Sequence, residues 1–293
     1  MNVKPRKFAL CLAVSVAVAV SASACSNAPQ SLNPSLPGTT PESAADPLAR
    51  SKVDTFINPE GPAEQARDIV IAKCMHEAGF DWTPSTPSPV TVLQYFGAPP
   101  LSIEDARTRG YARASTGTEQ ESQQSDAAQA AFAGSPQSGK VSVDIFGSQL
   151  SISQGGCLAK SYAEVYGSAE NGMKATGVSI NAVLPAVNAA SADPAIAPIQ
   201  EKWSTCMKTA GFTDLRTPGE ALRNFLQGKN RDQAVAIADA KCREQTGFQT
   251  AANAVLSKYL TAFLRDNEAM VTEIQSIRNA AGQTAQKILA GTQ

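Results

Sequence analysis

The chain has 293 residues, with 25 Lys and Arg against 26 Asp and Glu, a single His and six Cys. This balance has no basic stripe, and aromatic residues make up only 6% of the chain. The electrostatic and stacking footprint of a nucleic-acid-binding protein is therefore missing.

In chain order, Lys4, Arg6 and Lys7 precede an apolar run from Phe8 to Val20, then Ala22-Ser23-Ala24-Cys25. The run is too short to span a bilayer and predicts an export signal over residues 1–24. A Cys directly after small residues resembles the bacterial lipoprotein signal. The resemblance implies that Cys25 becomes the lipidated first residue of the mature protein, with the bilayer as partner through that anchor. The alternative is cleavage near Ala22 or Ala24 and release as a secreted protein. Residues 25–52 are rich in Ser, Pro, Asn, Thr and Ala, and read as a disordered tether.

A single domain is expected over 53–293, large enough for one sizeable core or two small ones. Its first helix should run from Pro62 to Ala78. Pro84, Pro87 and Pro89 then impose an extended link. Val90 to Phe96 suits a short strand or a buried turn. Ser102, with Glu104 and Asp105 behind it, caps a short helix to about Thr108. Residues 114–140 have low complexity and read as a flexible insert holding at most a weak helix over Ala127–Ala133. Val141, Val143, Ile145, Leu150 and Ile152 alternate with polar residues across Gly147, a hairpin pattern.

Cys157 should open a helix that ends at Gly167. Ser179 to Ala190 is expected to be helical, shortened or kinked by Pro185. Asp193-Pro194 starts the next helix, which carries Ile199, Trp203, Cys206 and Met207 on one face. Thr217-Pro218-Gly219-Glu220 is a capping box with Pro at N1. Asn230 with Gln233 begins another helix, ending at Gly247. From Thr250 to Ala290 apolar residues recur at near-heptad spacing. That predicts one long amphipathic helix, or two broken near Asp266-Asn267 or Gly282.

One pattern recurs: Cys74-Met75-His76-Glu77-Ala78-Gly79-Phe80, Cys206-Met207-Lys208-Thr209-Ala210-Gly211-Phe212, and the looser Cys242-Arg243-Glu244-Gln245-Thr246-Gly247-Phe248. Each reads as a helix end. Gly79, Gly211 and Gly247 would take the left-handed C′ position of a Schellman motif. Phe80, Phe212 and Phe248 would then fold back over the last turn, above a half-cystine. With Cys11 lost in the signal and Cys25 carrying lipid, Cys74, Cys157, Cys206 and Cys242 remain. An even number in an exported protein implies two disulfides. Sequence proximity favours Cys74–Cys157 with Cys206–Cys242; the competing scheme joins Cys74 to Cys206 and Cys157 to Cys242.

The fold class expected is mainly α: an irregular helical domain stapled by two disulfides, with at most a short β-hairpin and a long amphipathic C-terminal helix. No catalytic motif emerges. His76 has no identifiable nucleophile and acid beside it. The four Cys lack any paired C-x2–4-C spacing, so no metal and no cofactor is expected. Trp82, Tyr95, Tyr162 and Trp203 are candidate binding contacts, provided that they are exposed.

The lipoprotein-like signal, the polar tether, W-x-x-C-M-x-x-x-G-F over Trp203–Phe212 and A-x-x-x-C over Ala238–Cys242 resemble uncharacterised secreted lipoproteins of high-GC Gram-positive bacteria. That resemblance implies anchoring at the outer face of the cytoplasmic membrane and carries over no catalytic residue. The function expected is a binding or protein-interaction module with a partner in the envelope. The alternatives are an extracytoplasmic hydrolase and a purely structural lipoprotein.

Overall fold

A computed structural model describes residues 36–84, 89–97, 99–111, 125–228 and 233–291. The signal, Cys25 and the first part of the expected tether lie outside these residues. The described chain is mainly helical, with one two-stranded antiparallel hairpin. None of its helices is long and apolar enough to cross a membrane.

The folded part begins earlier than composition suggests. Residues 36–48 run along the domain rather than away from it. The Gly38 and Asp46 amides donate to Asp266 Oδ2 and Thr261 Oγ1 at 2.9 Å each. Helix α1 (Ala49–Ile57) follows, with Ala49, Val53, Phe56 and Ile57 buried. The polar residues between those positions hid the amphipathic spacing.

Helix α2 (Pro62–Glu77) starts on Pro62 as expected. Of the two readings of Val90 to Phe96, the buried turn holds and the strand does not, with Val92 and Leu93 buried. The segment holds a one-turn helix, α3 (Val92–Tyr95), in which Thr91 and Gln94 form a capping box. Helix α4 (Ile103–Arg109) is capped by Ser102, whose hydroxyl accepts the Asp105 amide. The first part of the expected flexible insert, residues 114–124, lies outside the described residues. The rest is ordered: α5 (Asp126–Ala133) is capped by Ser125, and a 3-10 turn leads into the hairpin. Strands β1 (Lys140–Ile145) and β2 (Ser148–Ser153) pair Val141 with Ile152 and Val143 with Leu150, the alternation read from the sequence.

Helix α6 (Cys157–Tyr166) ends at Gly167, and α7 (Ala169–Thr176) follows at once. The two helices close on each other at Gly172, where any Cβ would lie 2.1 Å from the Tyr162 ring. Pro185 lies in the first turn of α8 (Leu184–Ser191), so it opens that helix rather than kinking it. Asp193 caps the turn before α9 (Ile196–Thr209), with its carboxylate accepting the Ala195 amide and the Tyr259 hydroxyl at 2.8 Å each. Thr217 caps α10 (Pro218–Leu226), and α11 (Gln233–Thr246) follows. The long C-terminal pattern is two helices, α12 (Phe248–Asp266) and α13 (Glu268–Ala290), broken at Asn267.

Apolar residues collect in two main clusters. One contains α1, α2, α6–α8, α13 and most of α12; the other gathers residues of α4, α9, α10 and α11 with the first turns of α12. A smaller cluster surrounds Met75 and Cys157.

The tie between residues 36–46 and α12 is sensitive to acid. The Gly38 amide, then Arg265, hold the Asp266 carboxyl below its ordinary value. A depressed carboxyl stabilises the fold fully above the unfolded pKa of about 3.9 and loses that contribution as pH falls through its lower folded value. Hydrogen exchange at the Gly38 amide should therefore be protected at pH 5 and released below pH 3. Equal protection at both pH values would remove Asp266 as the tie.

Candidate functional site

Both disulfides follow the pairing favoured by proximity. Cys74–Cys157 and Cys206–Cys242 each have Cα atoms 5.7 Å apart, inside the usual range. Two of the three repeated motifs are complete Schellman ends. Phe80 N–H donates to Met75 O at 2.9 Å and Gly79 N–H to His76 O at 2.9 Å. Phe212 N–H donates to Met207 O at 2.9 Å and Gly211 N–H to Lys208 O at 3.0 Å. Both glycines have positive φ, and Phe80 and Phe212 pack over the turns carrying Cys74 and Cys206.

The third copy differs. Gly247 is left-handed at φ 65°, but Phe248 is already the first residue of α12. Phe248 is thus a buried side chain at a helix-to-helix joint rather than a lid. The looser match of this copy, with Arg243 in place of Met, reflects that difference. Arg243 has another task.

That task is the main chemical feature of the described structure. Asp239, on α11, has no exposed surface, yet it carries a carboxylate into the second cluster. Four donors close around it. Arg243 Nε reaches Oδ1 at 2.7 Å and a terminal guanidinium nitrogen reaches Oδ2 at 2.8 Å. Trp203 Nε1 donates to Oδ1 at 2.8 Å and the Tyr111 hydroxyl to Oδ2 at 2.9 Å. Arg243 is only 4% exposed, and its remaining terminal nitrogen donates to Pro99 O at 2.6 Å. Its guanidinium also lies 6.0 Å from the Phe248 ring centre. Burial, then the Asp239 charge and hydrogen bond, push the Tyr111 hydroxyl far above its ordinary value and keep it a donor. Among the described residues no buried side-chain N or O atom lacks a partner. The knot is therefore complete, the condition under which a buried ion pair is tolerated.

Above the knot opens a cleft of about 670 Å³. Tyr111 and Arg243 form its floor, Pro99, Pro100 and Leu101 one side, and Leu222 and Leu226 of α10 the other. Leu226 is 63% exposed at the rim. The charges here are already matched: Asp105 accepts from Arg109 and from the Ser102 hydroxyl, and Asp239 from Arg243. The cleft offers apolar surface with neutralised walls, the usual composition of a recognition site. Among the described lining residues the carboxylate is Asp105, paired with Arg109. His76 is exposed in the last turn of α2 and does not line the cleft. Among the described residues no three His, Cys, Asp or Glu converge to hold a metal ion.

The four aromatic candidates are dispersed. Trp203 is fully buried and serves the Asp239 knot. Tyr162 is buried and shares a hydrogen bond with Thr176 at 2.8 Å. Trp82 stacks on Phe132 of α5, with ring centres 6.4 Å apart, beside the Cys74–Cys157 bridge. Tyr95 alone is substantially exposed, at 46%.

Sequence reasoning missed Asp239, Arg243 and Tyr111. The available signal was an acid embedded among Ala236, Ala238 and Ala240, with Arg243 four residues on. Such a pair is ordinarily a solvent-facing helix contact. Its alanine surroundings mark it as buried. Comparison with protein-family models, curated proteins and solved structures yields no match to this chain.

Proposed function

We propose that this protein is a non-catalytic recognition module of the cell envelope, held at the outer face of the cytoplasmic membrane by a lipid on Cys25. The cleft above Asp239 is the surface on which it receives apolar side chains of an envelope partner protein. The observation that carries this reading is the cleft itself: apolar walls, charges already neutralised, and Leu226 standing exposed at its edge. Recognition surfaces combine an apolar centre with a few oriented polar groups. Two disulfides support an oxidising compartment. Hydrolysis finds less support, because Asp105, the acid among the described lining residues, is paired with Arg109 and His76 lies outside the cleft.

The test places a photo-crosslinking amino acid at position 226 and, as a control, at exposed position 276 on α13. Irradiation of intact cells should give a discrete protein adduct from 226 alone. Leu222→Glu in the same chain should abolish it while leaving the melting temperature within a few degrees. Equal adducts from both positions, or none from 226, would refute the cleft as the interface.

A further inference from the structure

A second cleft differs in chemistry from the first. It has a volume of about 310 Å³ and lies where residues 95–97 and the start of α10 meet α8 and α9. Tyr95 forms one wall. Asn188, Gln200 and Arg223 present an amide, a second amide and a guanidinium to the same space. Among the described residues, none of these three side chains has a hydrogen bond or ion pair with the protein. Its buried lining residues include Ile196, Phe248 and Ala252. Gly97 and Gly219 approach so closely that a Cβ on Gly219 would lie 3.0 Å from Gly97 O.

The ligand class follows by elimination and then by fit. Among the described residues no carboxylate lines the cleft, so its lining does not suit a metal ion or an organic cation. Among the described lining residues Arg223 is the one cation, which is poor provision for a phosphate or a polyanion. A lipid chain or an aliphatic side chain would cover the apolar lining but leave the two amides and the guanidinium without partners. What remains is a neutral ligand with one apolar face and several hydroxyls around its edge. Hydroxyls donate and accept, as do the Asn and Gln amides, and the planar guanidinium fork adds in-plane donors. An exposed Tyr ring gives the C–H face of such a ligand a flat platform with little entropy to lose.

We propose that this cleft binds a sugar residue of a glycan, with the ring face on Tyr95 and the hydroxyls on Asn188, Gln200 and Arg223. The site is independent of the partner-binding cleft and stands or falls without it. The full chain is mixed in turn with maltotriose, mannotriose, chitotriose and an arabinan trimer, and saturation-transfer NMR is recorded. At least one should receive saturation from the protein. Tyr95→Ala and Gln200→Ala should each weaken that binding by about tenfold, the size of one stacking or hydrogen-bond contact. The melting temperature should stay unchanged, since Tyr95 is exposed and Gln200 is uncommitted. Leu226→Glu, in the other cleft, should leave sugar binding intact. The proposal is overturned if no trisaccharide binds at millimolar concentration. It is also overturned if Tyr95→Ala leaves the affinity unchanged, or if Leu226→Glu abolishes binding.

Discussion

Replacing Asp239 with Asn is expected to destabilise the protein by about 3–5 kcal/mol, the cost of leaving a buried charge without its partner. The change is nearly isosteric, so packing is not the cause. The carboxylate accepts from Arg243, Trp203 and Tyr111. An amide offers one acceptor oxygen and two donors of its own. Its nitrogen would face donors it cannot satisfy, while Arg243 would keep its charge at 4% exposure. The urea midpoint should fall with the slope unchanged, which marks a change in stability rather than in the surface exposed on unfolding. Asp239→Asn with Arg243→Met should cost less than the two single changes added together, because each single change leaves one buried charge unpaired and the double change leaves none. Strict additivity, or a midpoint within experimental error of the parent, would show that water reaches the knot.

The second large effect is expected from removing Cys74–Cys157. Its loop spans 83 residues against 36 for Cys206–Cys242. The chain-entropy relation assigns about 4.5 kcal/mol to the longer loop and about 4 kcal/mol to the shorter. Cys157 is 3% exposed and belongs to the small cluster that joins α2, α5 and α6, so an Ala pair also leaves that cluster underfilled. The Cys74→Ala, Cys157→Ala variant should lower the urea midpoint at least as far as the Cys206→Ala, Cys242→Ala variant. The reverse order would mean that the unfolded chain keeps residues 74 and 157 near each other without the bond.

Features set by local chemistry were legible from the residues. Ser102, Thr217, Gly79 and Gly211 announce helix ends through side chain or backbone freedom alone, and the hairpin followed from simple alternation. The disulfide pairing was legible because proximity coincided with the fold. Features set by packing were not. Helix α1 lies in a polar stretch whose few apolar residues become meaningful only against α12. The weak helix over Ala127–Ala133 was legible, but the stacking of Phe132 on Trp82 that holds it in place was not. Trp203 looked like a binding residue because sequence does not distinguish an exposed ring from one whose N–H is satisfied indoors. Tyr111 and Asp239 are 128 residues apart, and no local rule joins them.

Helix α12 has a consequence for how the protein comes apart. Phe248 and Ala252 are rooted in one cluster, while Val255, Leu256, Leu260 and Phe263 are rooted in the other. Neither cluster can melt alone without fraying a helix that the other requires. The cost of that shared fraying couples two cores that would otherwise be separate foldons. Heat should therefore dissolve both in a single calorimetric peak, although the apolar residues are divided between two centres.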